Sequence, residues 1–188
     1  MNCSASLTVS RDPTDLILYK DDAILVVNKP AGIPVHAGSG GGQTLEDFFP
    51  QLQLDAKAPP HLAHRLDRDT SGCLILGRTK QALRQLGRLF EQGRIHKVYW
   101  ALVHGVPETK QGRIDLPLAK KTQEKHRWHM QVDSQGQEAI TDYQVLGTFP
   151  EGAWLALRPK TGRTHQLRVH CAAMGWPIIG DRFYGAGQ

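Results

Sequence analysis

Gly72-Cys73-Leu74-Ile75-Leu76-Gly77 is a continuous apolar run of strand length, and just beyond it Gln81 to Gln92 sets Leu83, Leu86, Leu89 and Phe90 on one helical face before Gly93. A short apolar run between glycines reads as a strand, and a 3.6-residue repeat that ends at glycine reads as a helix. Toward the N-terminus, Leu16 to Tyr19 and Ala23 to Asn28 are rich in Ile and Val and are separated by Asp21-Asp22, which predicts two strands joined by a turn. Gly38 to Gly42 is glycine-rich and predicts an exposed loop; Thr44 is a fair N-cap for a short helix over Leu45 to Leu52, which Pro50 limits. Toward the C-terminus, Ile95 to His104, Ala139 to Phe149 and Ala153 to Arg158 read as strands, with a polar, hairpin-like stretch from Lys110 to Gln137. Thr164 to Met174 aligns Leu167, Cys171 and Met174 and stops at Gly175 and Pro177, so it reads as a second helix. The class is α+β, with residues 1–15 as a loose lead-in and no internal repeat.

The chain has 188 residues, 40% of them hydrophobic and 22% charged, which is the usage of a folded chain. This length fits one domain. The formal net charge of +5 suits a polyanionic partner without proving one. Cys3, Cys73 and Cys171 form no Cys-x-x-Cys pair, so no disulfide framework is expected; Cys73 and Cys171 read as small core residues. No basic segment followed by an apolar stretch opens the chain, and no apolar run is long enough for a bilayer. The expectation is a cytoplasmic protein with no membrane partner.

Chemistry concentrates in three places. His64-Arg65-Leu66-Asp67-Arg68-Asp69-Thr70-Ser71-Gly72 sets Asp67 between two arginines, which favours its ionised form and suits a nucleophile or charge stabiliser; the same residues also read as a solvated turn. Asp67-Arg68-Asp69-Thr70 matches the Asp-x-Asp-x-Thr string of magnesium-dependent aspartyl phosphatases, but no βαβ series follows it. Lys120, Lys121, Lys125, His126, Arg127, Trp128 and His129 form a basic run with an aromatic inside it, readable equally as a solvated hairpin or as a holder of phosphate and base. Lys160 to Arg168 opens the second helix with Arg163, Thr164 and His165 at an end that attracts anions. His61-x-x-His64 and His126-x-x-His129 have ligand-like spacing, yet no cysteine pair or His-Glu-x-x-His string accompanies them and arginines dominate their neighbourhoods, so no metal is expected.

Taken in series, His64-Arg65-Leu66-Asp67 with Thr70-Ser71-Gly72, Lys97-Val98-Tyr99-Trp100-Ala101, and Gly162-Arg163-Thr164-His165-Gln166-Leu167-Arg168-Val169-His170 resemble the RluA family of RNA pseudouridine synthases. Val27-Asn28-Lys29-Pro30-Ala31-Gly32, Val35-His36, Asp115-Leu116-Pro117-Leu118 and Pro177-Ile178-Ile179-Gly180-Asp181 add to it, so the resemblance spans about Leu16 to Tyr184. It implies the pseudouridine synthase fold: a single domain over 16–188 with a mixed, largely antiparallel sheet, flanking helices and a central basic cleft. It implies an isomerase of uridine in ribosomal or transfer RNA, acting as a monomer without cofactor. Asp67 would be the essential aspartate, Tyr99 would lie beside the uracil and could take its C5 proton, and Arg168 would pair with Asp67. Arg65 would displace the base, and His64, Thr70, Arg163, Thr164 and His165 would help bind the substrate. Asp67 suits either a covalent route or a glycal formed by proton loss at C2′. Departures are the lack of room for a small N-terminal RNA-binding domain and an end that is short relative to relatives with a further Leu-Leu-His-Ala strand. A non-catalytic RNA-binding protein of the same shape is the alternative that keeps these motifs.

Overall fold

A computed structural model of the chain describes residues 12–37, 41–122 and 128–185. Most of the predicted lead-in, Gly38 to Gly40 of the glycine loop, and Lys125, His126 and Arg127 of the basic run lie outside the described residues. The backbone divides into two compact units, Met1–Arg94 and Ile95–Gln188.

In the first unit, β1 (Ile17–Lys20) and β2 (Ile24–Lys29) form the expected hairpin. Asp21 makes the turn, because its carboxylate accepts the Ala23 and Ile24 amides at 2.8 and 2.7 Å. With β3 (His61–Leu62) and β4 (Gly72–Gly77) they build an antiparallel sheet in the order β1-β2-β4-β3. Leu74 and Leu76 are fully buried, but the intervening backbone alternates, so Cys73 faces outward and is exposed. The apolar run concealed that alternation, and the core assignment of Cys73 is corrected. Helix α1 (Lys80–Glu91) follows, capped by the Thr79 hydroxyl, with Ala82 and Leu86 buried. Gly77 permits the approach, since a Cβ there would meet the Leu83 backbone at 3.1 Å. The helix expected over Leu45 to Leu52 is only a 3-10 turn, Leu45–Phe48, whose Thr44 amide donates to Asp47 at 2.7 Å.

In the second unit, β5 (Tyr99–His104), β6 (Gln111–Asp115), β9 (Ile140–Phe149) and β10 (Gly152–Pro159) form an antiparallel sheet in the order β5-β10-β9-β6, while β7 (Leu118–Thr122) and β8 (Trp128–Val132) pair as a separate hairpin. The Ile95 to His104 strand thus starts only at Tyr99, and the polar stretch from Lys110 contributes β6 to the main sheet as well as a hairpin. Ala101, Val103, Ile114, Tyr143, Leu155, Leu157 and Cys171 form its core. Gly152 is obligatory, because a Cβ there would fall 1.9 Å from the Val103 carbonyl oxygen. Helix α2 (Gln166–Ala173) is shorter than expected at its start, since His165 takes left-handed angles, φ 55° and ψ 16°, and interrupts the helical backbone.

Every strand pair among the described residues is antiparallel, and the α+β class stands. Asp67 therefore does not end a central parallel strand as an aspartyl phosphatase requires. No helix among the described residues is long and apolar enough to cross a membrane.

Candidate active site

The turn that carries Asp67 lies between β3 and β4 and is pinned on both sides. Leu66 is buried, and the Thr70 amide donates to the Asp67 carbonyl at 3.1 Å. Lys29, fully buried at the end of β2, donates its ammonium to the carbonyls of Pro30 and Ile33, each at 2.8 Å, and of Arg68 at 3.0 Å. Gly32, at φ 89°, closes the same junction: its amide donates to the Arg68 carbonyl at 2.9 Å, and Arg68 Nε donates back to the Gly32 carbonyl at 3.0 Å. The Pro30-Ala31-Gly32 loop and the Asp67 turn are thereby one fixed piece, with the Asp67 side chain half-exposed. Burial pushes the Lys29 ammonium down to about 8, against the pull of Asp69 and Asp67.

The predicted neighbours of Asp67 divide by task. His64 Nε2 accepts the Ile75 amide at 2.9 Å and its ring lies 4.6 Å from Phe90, so it ties the turn to β4 and α1. Arg65 is exposed, with Nη1 3.2 Å from His36 Nε2. Thr70 is half-buried where the turn closes. His64, Arg65, Asp67 and Thr70 are thus one local group, and Lys29 is the member that sequence reasoning missed. Its signal was a lysine ending an apolar strand directly before Pro-Ala-Gly, where a charge in the core needs a reason.

In the second unit, Tyr99 opens β5, pairs with Leu157 and packs half-buried against the core. Lys97 extends to within 3.7 Å of where a Gly162 side chain would begin. Arg163 and Thr164 are exposed before α2, and Arg163 Nε donates to the Glu138 carbonyl at 2.9 Å. Gln166, buried, holds this junction: its oxygen accepts from Thr161 and from the Arg163 amide, and its nitrogen donates to Ile140 and Thr141. Arg168, in the first turn of α2, donates Nε to Asp181 Oδ2 at 2.7 Å and Nη2 to Oδ1 at 3.0 Å. Its guanidinium also lies 4.9 Å from the Tyr184 ring centroid. Burial raises the Asp181 carboxyl, but Arg168 and the amides of Tyr184 and Phe183 outweigh it and hold the group below the usual carboxylate range. His165 Nδ1 meets the Tyr184 hydroxyl at 2.9 Å, and that hydroxyl also accepts the Met130 amide at 3.0 Å. Asp181 and Tyr184 are further residues that the sequence did not single out as parts of a site.

Residues 23–173 match the model of the RNA pseudouridylate synthase family. An uncharacterised RNA pseudouridine synthase of Zymomonas mobilis is 44% identical over 171 residues, covering 90% of this chain and 78% of that protein. The ribosomal large subunit pseudouridine synthase C of Buchnera aphidicola is 38% identical over 176 residues, covering 91% of this chain; the chain spans only 54% of that relative's length. The solved structure of human RNA pseudouridylate synthase domain containing 4 superposes with a TM-score of 0.79 at 33% identity, covering 94% of this chain and 71% of that one.

Proposed function

The chain belongs to the RluA family of RNA pseudouridine synthases, and from that premise we propose that it isomerises uridines of ribosomal RNA, or of transfer RNA, to pseudouridine with Asp67 as the catalytic residue. The observation that carries the reading is the extent of the family match, 23–173, which takes in Asp67, Tyr99 and Arg168 together. The reaction breaks the bond between ribose C1′ and uracil N1, turns the base, and joins C1′ to C5; the C5 proton leaves and N1 gains one.

Asp67 provides the carboxylate that starts the cleavage. Its backbone is fixed by the Lys29 clamp, so the carboxylate needs little reorganisation when the substrate arrives. Tyr99 serves the base, taking the C5 proton, and Arg168 is assigned as the partner of Asp67. Exposed Arg65, Arg163 and Thr164 supply donors for phosphate and for the displaced stack. His64 and His165 are assigned the support of these groups, and Thr70 the closure of the turn. A uridine must leave its stack to be reached, which the family chemistry shares with other base-modifying enzymes. The reading includes a single copy of the chain, working as one catalytic domain in the cytoplasm.

The test is a transcriptome-wide pseudouridine map with and without the gene, repeated with Asp67→Asn restored in its place. Sites lost with the gene and not recovered by Asp67→Asn support the reading. An Asp67→Asn protein that restores every site sinks it, and RNA binding with no lost site favours a non-catalytic RNA-binding protein.

A further inference from the structure

The β7–β8 hairpin carries an aromatic and basic end that the isomerisation itself does not use. Leu118, Met130 and Val132 lie on the hairpin face that packs against Val169 of α2. The same face runs past this core and there presents Trp128, 41% exposed, and Lys120, also exposed. They are diagonal neighbours across the pair Lys120↔Met130 and Thr122↔Trp128, and the Lys120 ammonium lies 4.7 Å from the Trp128 ring centroid. An overhanging tryptophan can simply edge a core, but this one is braced. Its ring stacks on His165 at 5.6 Å with 17° between planes, and His165 in turn meets Tyr184 edge to face at 5.6 Å. Tyr184 then lies under the Arg168 guanidinium. A column Trp128–His165–Tyr184–Arg168 therefore connects an exposed ring to a residue of the proposed chemistry, all within the second unit.

The left-handed backbone of His165 belongs to the same arrangement. A non-glycine residue held there is strained and is kept where the surroundings impose it. Here it places the imidazole between Trp128 and Tyr184. At the exposed end of the column the charge is cationic, with Lys120 on the Trp128 face and Arg163 exposed just before α2, while the Asp181 carboxylate pairs with Arg168 at the other end. A flat ring beside an exposed ammonium fits one ligand class, a base with its phosphate in a single-stranded stretch.

We propose that Trp128, backed by His165 and flanked by Lys120, is a stacking subsite for the base of a nucleotide that flanks the target uridine. This deepens the synthase reading and rests on it. Lys120, a flexible side chain, gives up the ring to the base and moves to the adjoining phosphate.

The experiment titrates the full chain with a labelled oligouridylate about a dozen nucleotides long across a salt series, for the wild type, Trp128→Ala, Trp128→Phe and Lys120→Ala. One stacked base corresponds to about 5- to 150-fold in affinity, so Trp128→Ala should weaken binding by that range with the salt slope unchanged. Trp128→Phe should recover most of it, and Lys120→Ala should lower the slope by about 0.7. With a transcript carrying a mapped site, the Trp128→Ala loss should fall on KM more than on kcat. Trp128→Ala binding within twofold of wild type, no saturable binding by the wild type, or a loss that phenylalanine does not restore overturns the subsite. A wild type that binds the oligomer through Trp128 but forms no pseudouridine in any RNA would instead overturn the synthase reading.

Discussion

Arg168 grips Asp181 at two points, Nε to Oδ2 at 2.7 Å and Nη2 to Oδ1 at 3.0 Å, while the same carboxylate accepts the amides of Phe183 and Tyr184 at 2.9 and 3.0 Å. The Asp181 side chain is 4% exposed and that of Arg168 24%, so the carboxylate end of the pair is shielded from water. Replacing it with Asn removes the charge that the guanidinium grips at two points and loosens the segment after Gly180. Asp181→Asn should cost about 3 kcal/mol in urea unfolding. If Arg168 works on the aspartate and the substrate, kcat should fall about 10²-fold with KM changed far less. A variant that loses stability but keeps kcat would make Asp181 purely structural.

Lys29→Met keeps the volume but removes the donor that joins three carbonyls. The Arg68 carbonyl retains the Gly32 amide, whereas no other donor is seen for those of Pro30 and Ile33 among the described residues. An orphaned buried carbonyl costs about 1–3 kcal/mol, fully so for Ile33 and less for the part-buried Pro30, so a loss of about 3 kcal/mol is expected by denaturant titration. Turnover should fall further than stability at a temperature where the variant is still folded, because the Asp67 turn loses its clamp. Equal turnover per folded molecule would separate the clamp from the chemistry.

How much of this was legible in the sequence follows from the range of each interaction. The β1–β2 hairpin, β4 and α1 rest on local signals, namely Asp21, the Gly72 to Gly77 run and Thr79 with Gly93, and they were readable. Asp67 gained meaning from distant motifs in fixed order rather than from its own neighbours. Cys73 went astray because an apolar run hides which of its residues turn outward. Lys29 carried a faint local signal as a lysine ending an apolar strand, but its link to the Asp67 turn and the Asp181 counter-charge were not legible, since Arg68 and Arg168 lie 39 and 13 residues away and no local pattern encodes such a contact. The start of α2 shifted for a similar reason: the angles of His165 are stabilised by Tyr184 and Trp128, neither of them adjacent in sequence.

The left-handed angles of His165 predict an order of substitutions. Asn and Gly tolerate that region, Ala less so, and a β-branched residue least. Thermal melting should therefore rank His165→Asn and His165→Gly above His165→Ala, with His165→Val lowest by at least about 1 kcal/mol. All four lose the ring beneath Trp128, so RNA affinity should fall in each of them regardless of stability. An equal melting temperature for Ala and Val would remove the strain argument.

His170 links acidity to stability. It is fully buried on α2, with Nδ1 2.9 Å from the Thr141 hydroxyl and Nε2 3.0 Å from the Leu116 carbonyl. A carbonyl only accepts, so Nε2 carries the proton and Nδ1 accepts from Thr141, whose oxygen also receives the Gln166 amide. The neutral ring is satisfied, and a second proton on Nδ1 would oppose the Thr141 hydroxyl. Burial lowers the imidazole below its usual 6.5, with the Leu116 carbonyl and Asp115 pulling weakly the other way. The unfolded chain therefore takes up a proton before the folded one does. Stability from this group is complete above about pH 6.5 and declines as pH falls through the lower folded value, where unfolding is favoured by proton uptake. Melting temperatures measured from pH 8 to pH 5 should fall on the acid side, and His170→Gln should flatten that limb while lowering the plateau. An acid limb of the same steepness in the variant would assign the proton uptake to another group.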